Sequence, residues 1–209
     1  MCLNVMNKLV TILCFICLLA TSCSKVSIDS MKVGDYTHLE ECIIMAKTRR
    51  GIVITDRSQK SVYVYGGPDF NYQDYDVSDV VDVSAGVTLY NGMIELQNPD
   101  IRVVSRNTSV SYPLPLSIDK YNFMDFMNSE KMTSEYISCY GRLVTDNNGA
   151  RYFVKLDGTD TYELELEFPV HDLRDYLGQN VTVSGYYLFP GGTGDYKVLK
   201  IALTQLYIR

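Results

Sequence analysis

Gly51-Ile52-Val53-Ile54-Thr55-Asp56, a polar turn, and then Ser61-Val62-Tyr63-Val64-Tyr65 decide the fold of this chain. Both runs are short, rich in β-branched and aromatic residues and bounded by turn formers, which is the pattern of paired strands. About 100 residues later the same order returns: Tyr152-Phe153-Val154-Lys155-Leu156-Asp157, then Tyr162-Glu163-Leu164-Glu165-Leu166-Glu167-Phe168. Downstream, Val81 to Gly86 has its counterpart in Val181 to Gly185. Each copy then turns, at Asn91-Gly92 or at Gly191 to Gly194, and ends in an apolar strand, Met93 to Val104 or Tyr196 to Ile208. Asn-Gly is a strong hairpin signal because both residues tolerate positive φ. Upstream of each pair lies a long first strand, near 36–47 and 134–146.

Two copies of one five-stranded unit account for this order. The expectation is an all-β protein with domains at 35–106 and 134–209, joined by a linker at 107–133. In the linker Pro113 and Pro115 break the chain. Ser117 to Lys131 then reads as a helix, with Ser117 as N-cap and Tyr121, Met124 and Met127 spaced for one face. Links at 68–78 and 169–177 separate the third strand from the fourth. That is the layout of an OB-fold barrel.

The run from Gly51 to Asp56 with Val62-Tyr63-Val64-Tyr65-Gly66-Gly67, and the run from Asp79 to Leu96, resemble OB-fold modules of exported bacterial lipoproteins and secreted nucleases. The likeness covers 36–104 well and 134–208 less closely. It departs at the turn after Asp56, where such modules carry Gly and this chain has Arg57-Ser58. The resemblance implies two tandem OB-fold-like barrels, an architecture that hosts many functions.

The N-terminus points to export. Met6-Asn7-Lys8 is followed by an apolar run from Leu9 to Ala20, then Thr21-Ser22-Cys23. This is the layout of a secretory signal. At about 12 residues the run is shorter than the roughly 20 a spanning helix needs. The ending resembles a lipobox, with Ala20 where that motif usually has Leu. It implies a signal peptide at 1–22, a lipidated Cys23 and a polar tether to Gly34. The expected location is the cell envelope, lipid-anchored at the outer membrane of a Gram-negative bacterium, with the membrane as partner through Cys23 and either face open. The alternative is a plain secreted protein cleaved near Ser22.

Composition narrows the function. The 209 residues carry a formal charge of −6, and loss of Lys8 with the leader makes it −7. An acidic total argues mildly against polyanion partners, though local distribution can override it. Of six Cys, Cys2, Cys14 and Cys17 fall in the leader and Cys23 at the anchor. Cys42 and Cys139 remain in apolar runs, as buried free thiols or as a bridge. The two histidines, His38 and His171, have no partner motif. There is no nucleophile elbow, zinc-protease motif or phosphate loop. The expectation is no enzyme, no cofactor and no metal site. Asp146 to Gly149 and Asp157 to Asp160 resemble pieces of calcium loops, but lack the closing Glu and read as tight turns.

The strand period assigns faces. Val81, Val83, Ala85, Val87 and Leu89 point inward, and so do Val62 and Val64, which places Tyr63 and Tyr65 outside. Arg49, Arg50, Arg57 and Lys60, with Lys47, lie in and beside the adjoining turns against Asp56. Aromatic rings beside a basic rim suit stacked single-stranded nucleic acid, and equally an anionic glycan. Tyr63, Tyr65, Arg49, Arg50, Arg57 and Lys60 are therefore the candidate ligand-binding set. In the second copy Glu163, Glu165 and Glu167 would make an outward row of carboxylates that repels polyanions. The competing reading is that both tyrosines pack against the tether, the link or the other domain. Functionally, the alternatives are a non-catalytic envelope lipoprotein whose first domain binds an oligosaccharide or single-stranded nucleic acid, and a scaffold lipoprotein contacting another envelope protein.

Overall fold

A computed structural model describes residues 26–129, 133–169 and 172–208. The leader and Cys23 lie outside the described residues.

The first half contains β1 (Tyr36–Thr48), β2 (Gly51–Thr55), β3 (Ser61–Tyr65), β4 (Val80–Tyr90) and β5 (Met93–Ser105). They pair in the order β1-β2-β3-β5-β4 and close as a barrel. β1 makes closure feasible by serving two neighbours. Its first part pairs with β4 and its last part with β2, with register shifts at Leu39/Cys42 and Ile44/Ala46. Glu41 sits in the first shift at φ 54, and its N–H donates to Asp82 Oδ1 at 2.9 Å. Such bulges bend a strand and raise its local twist. The Asn91-Gly92 hairpin forms with φ 48 and 84. In the turn after Asp56, Gln59 takes the positive-φ position at 63°.

The second half contains β6 (Leu116–Ile118), α1 (Phe123–Asn128), β7 (Tyr136–Thr145), β8 (Tyr152–Leu156), β9 (Tyr162–Glu167), β10 (Asn180–Thr193) and β11 (Tyr196–Ile208). Here β7-β8-β9-β11-β10 repeats the pairing order of the first half, and a β10–β7 pairing completes the ring. The links after β3 and β9 each carry one 3-10 turn, at Tyr72–Asp74 and Arg174–Tyr176.

Two expectations need correction. The helix expected over Ser117 to Lys131 begins only at Phe123, because Leu116 to Ile118 pair in parallel with Ile137 to Cys139 of β7. Asn122, not Ser117, stands at the N-cap. Nor is the tether free as far as Gly34. Ile28 is 1% exposed and Met31 8%, both within the first barrel's core, and Ile28 N–H donates to Asp56 Oδ2 at 2.8 Å. An apolar residue in a polar segment gains more by covering the barrel than by staying in water.

The inward faces follow the period-two pattern. Val62, Val64, Val81, Val83, Ala85 and Val87 are buried in one core. Leu143, Val154, Leu164, Leu166, Val181 and Val183 fill the other. Leu89 is the exception, 53% exposed. Cys42 and Cys139 are free thiols buried in separate cores. Burial pushes both thiols up to about 12.

Candidate functional site: a cleft between the two barrels

A third apolar cluster lies between the barrels. Met45, Ala46, Val53 and Tyr63 from the first meet Tyr136, Tyr186, Leu188 and Ala202 from the second. The outer faces that β2 and β3 present are thus turned toward the other barrel. Polar groups fix the register of this seam. Ser134 N–H donates to Ser61 O at 2.8 Å. Burial pushes the Tyr186 hydroxyl up to about 12, against the lowering effect of the neighbouring Thr55 and Ser61 side chains. Tyr112 of the linker donates to Met45 O at 3.2 Å and stacks on Tyr136 with ring centres 5.3 Å apart.

Beside the seam the two faces diverge and leave a cavity of about 470 Å³. That falls within the size range of small-molecule sites, roughly 300–1,000 Å³. The first barrel contributes Arg49 and Arg50 from the β1–β2 turn, Tyr63 and Tyr65 from β3, Tyr90 from β4, and Glu95 and Gln97 from β5. The second contributes Arg151 and Tyr152, Glu165 and Glu167 from β9, Phe168, Phe189 from β10 and Lys200 from β11. Tyr90 and Phe189 close one wall edge to face, with centres 5.0 Å apart.

Charge in the cleft is unevenly compensated. Lys200 lies 3.2 Å from Glu165 and 2.9 Å from Glu167, and Arg151 reaches Glu165 at 3.7 Å. Burial pulls the Lys200 ammonium down, but the two carboxylates outweigh it and hold it above the usual lysine value. Glu95, 5% exposed, accepts a hydrogen bond from Gln97 Nε2 at 2.9 Å and forms no ion pair with any described residue. Burial raises its carboxyl above the ordinary range, against the lowering effect of Gln97. Arg49 and Arg50 are exposed and also form no ion pair with a described residue.

The six residues singled out from the sequence divide. Arg49, Arg50, Tyr63 and Tyr65 come together at the cleft. Arg57 and Lys60 do not, because their turn lies at the opposite end of β2 and β3, about 15 Å along the strands. There Arg57 pairs with Glu41, and Lys60 approaches Asp29 at 3.9 Å. Lys47 is spent on Asp76 at 3.1 Å. The expected single basic rim is therefore two separate turns.

Tyr63 is not an open stacking surface either. It is 6% exposed, and its hydroxyl lies 2.9 Å from Thr48 Oγ1. Its ring crosses Gly51, where any Cβ would meet Val64 O at 2.1 Å and the Tyr63 ring at 3.0 Å. Tyr65, half-buried, remains the accessible ring on that strand. The carboxylate row of the second barrel is corrected too. Glu163 and Glu165 are 4% and 7% exposed, and the row is covered by Lys155, Arg151, Lys200 and the Tyr196 hydroxyl. Buried charges persist where partners compensate them.

Sequence reasoning missed Glu95, Gln97, Arg151, Phe189 and Lys200. A signal existed for Glu95 and Gln97, which alternate with the core residues Ile94 and Leu96 and so had to lie outside.

No family model and no curated protein matches the chain. Two solved structures align with most of it. One is a murine DNA-binding protein bound to double-stranded DNA, at TM-score 0.38 and 10% identity, covering 83% of this chain and 98% of that one. The other is the Ifi202 HINa domain in complex with 20 bp double-stranded DNA, at TM-score 0.41 and 10% identity, covering 85% and 96%. At this level of similarity no residue and no activity transfers.

Proposed function

We propose that this chain is an exported, non-catalytic, lipid-anchored envelope protein whose two OB-fold-like barrels hold a ligand in the cleft between them. The ligand is an extended polar molecule, an oligosaccharide or a single-stranded nucleic acid. The observation that carries this reading is the lining of the cleft. Both barrels supply aromatic rings to one cavity that also holds two arginines and a buried carboxylate that no described residue pairs with. Pockets that combine apolar walls with a few convergent polar groups and a perturbed acid are the usual places where ligands bind. Assignment of each ring to the OB fold is supported by its strand order and by the turn-bearing link after the third strand. Export and anchoring rest on the leader pattern and Cys23.

The test is binding of immobilised oligosaccharides and single-stranded oligonucleotides by the purified protein, compared with Tyr65→Ala and Phe189→Ala. The reading expects both substitutions to weaken whatever is retained while the fold persists. Retention unchanged in both variants overturns it.

A second reading, a scaffold that contacts another envelope protein, is favoured by exposed apolar groups on the linker. Leu114 is 96% exposed and Tyr121 81%. Capture of a protein partner that is lost on Leu114→Ser and Tyr121→Ser, with a blank ligand array, would support it.

A further inference from the structure

The charges left over in the cleft say what kind of ligand completes it. Glu165 and Glu167 are both paired with Lys200, and Arg151 divides between Glu165 and Asp146. Among the described residues, none forms an ion pair with Glu95 on one side, or with Arg49 and Arg50 on the other. Their order is fixed by the sheet. In the parallel β3–β5 pair Tyr65 stands beside Gln97, and one rung further in Tyr63 stands beside Glu95. Arg50 adjoins the outer rung, since Gly66 N–H donates to Arg50 O at 2.8 Å. Rungs on one face of a strand are about 7 Å apart. From mouth to interior the cleft therefore offers two guanidinium groups, then a tyrosine ring with an amide, then a carboxylate.

Each class of polyion fails this sequence somewhere. A single-stranded nucleic acid carries a phosphate at every residue and would bring charge against the buried Glu95. A polycation would meet Arg49 and Arg50. A neutral sugar would stack on Tyr65 and bond to Glu95 and Gln97, leaving the two arginines unused. A sugar ring with one acidic substituent answers every group. Its apolar face covers an aromatic ring, neighbouring hydroxyls donate to a carboxylate and accept from an amide, and its anion takes charge-assisted bonds from guanidinium groups.

We propose that the cleft is a site for an acidic saccharide, with the acid group on Arg49 and Arg50, the ring on Tyr65 and the hydroxyls on Glu95 and Gln97. The proposal rests on the cleft being a ligand site at all.

The experiment prints neutral oligosaccharides, their carboxylated and sulfated counterparts and a single-stranded oligothymidylate on one array. The purified full chain and the Arg49→Ala/Arg50→Ala double variant are applied to it. Both arginines are exposed turn residues, so the variant is expected to fold, and its circular dichroism is compared with that of the parent. The expected result is retention of acidic saccharides over their neutral counterparts, falling about tenfold or more in the double variant. Binding of the neutral counterparts should hardly change, and Glu95→Gln should weaken both kinds. Equal retention of neutral and acidic saccharides, unchanged in the double variant, overturns the acidic assignment but leaves the cleft as a saccharide site. Preference for the oligothymidylate over every saccharide overturns it in favour of a nucleic acid. An array blank in every position overturns both this proposal and the ligand-binding reading beneath it.

Discussion

The Tyr63 hydroxyl lies 2.9 Å from Thr48 Oγ1, and both residues are buried where the first barrel meets the second. Tyr63 therefore contributes mainly to stability. Tyr63→Ala should lose about 3–5 kcal/mol, in the range for emptying a buried aromatic site. Tyr63→Phe should lose only about 1 kcal/mol, the net worth of a hydrogen bond. Denaturant titration of the parent and both variants measures this. A Tyr63→Ala protein as stable as the parent would show that the ring is not packed in the seam.

Tyr186 makes the second joint. It is 2% exposed, its ring packs on Tyr136 with centres 5.0 Å apart, and it lies in one apolar cluster with Met45, Val53 and Tyr63 of the other barrel. The two barrels should consequently unfold together. Hydrogen exchange in β3 and in β10 is expected to report one opening free energy in the parent. Tyr186→Ala should lower both, by about 3–5 kcal/mol. Two separate unfolding transitions in the parent would refute this coupling.

Much of the barrel architecture was legible because a small barrel enforces the simplest period in protein structure. Val81, Val83, Ala85 and Val87 had to point inward, and they do. Leu89 fails the rule because it lies beyond the buried stretch of β4, beside the hairpin turn. The linker was less legible. Leu116 to Ile118 look helical with their neighbours, and only a partner about 20 residues away in sequence draws them into a sheet. The cleft was half legible. Alternation showed that Tyr63, Tyr65, Glu163 and Glu165 leave their cores, but not that the second barrel would cover them. The pairing of Lys200 with Glu165 joins adjacent strands that are distant in sequence, so charge counted along the chain misjudged both faces.

Glu95 gives the protein a pH signature. Burial raises its carboxyl in the folded state above the value it has in the unfolded chain. The folded state then binds more protons through that interval, so this group's contribution favours folding at low pH and is lost as pH rises through the raised value. Glu95→Gln removes the cost of a buried charge while keeping an acceptor for Gln97. The variant should be more stable than the parent near neutral pH, with the difference shrinking as pH falls toward the ordinary carboxylate range. Thermal unfolding of both proteins across that range checks the sign. A difference independent of pH would show that the carboxyl of Glu95 is not raised in the folded state.

Asp56 fastens the N-terminal segment. Oδ2 accepts from Ile28 N–H at 2.8 Å, while Oδ1 accepts from Ser58 N–H at 2.9 Å, the Ser58 hydroxyl at 2.6 Å and Lys60 N–H at 3.2 Å. One carboxylate thus shapes the β2–β3 turn and holds the chain that leads back toward Cys23. Ile28 adds a fully covered side chain to the same joint. If Cys23 carries the lipid, only a few residues separate it from this clamp, and the first barrel is held close to the membrane surface instead of hanging on a long tether. Ile28→Ala should cost about 2–5 kcal/mol, the usual loss for a buried aliphatic truncated to Ala. Asp56→Ala should free the segment as well as loosen the turn. Limited proteolysis separates the two effects. In Ile28→Ala, cleavage is expected between 26 and 34 before any cut in the β2–β3 turn, whereas Asp56→Ala should expose both. A parent already cut between 26 and 34 as fast as Ile28→Ala would show that the segment is not clamped, and the short standoff from the membrane would no longer follow.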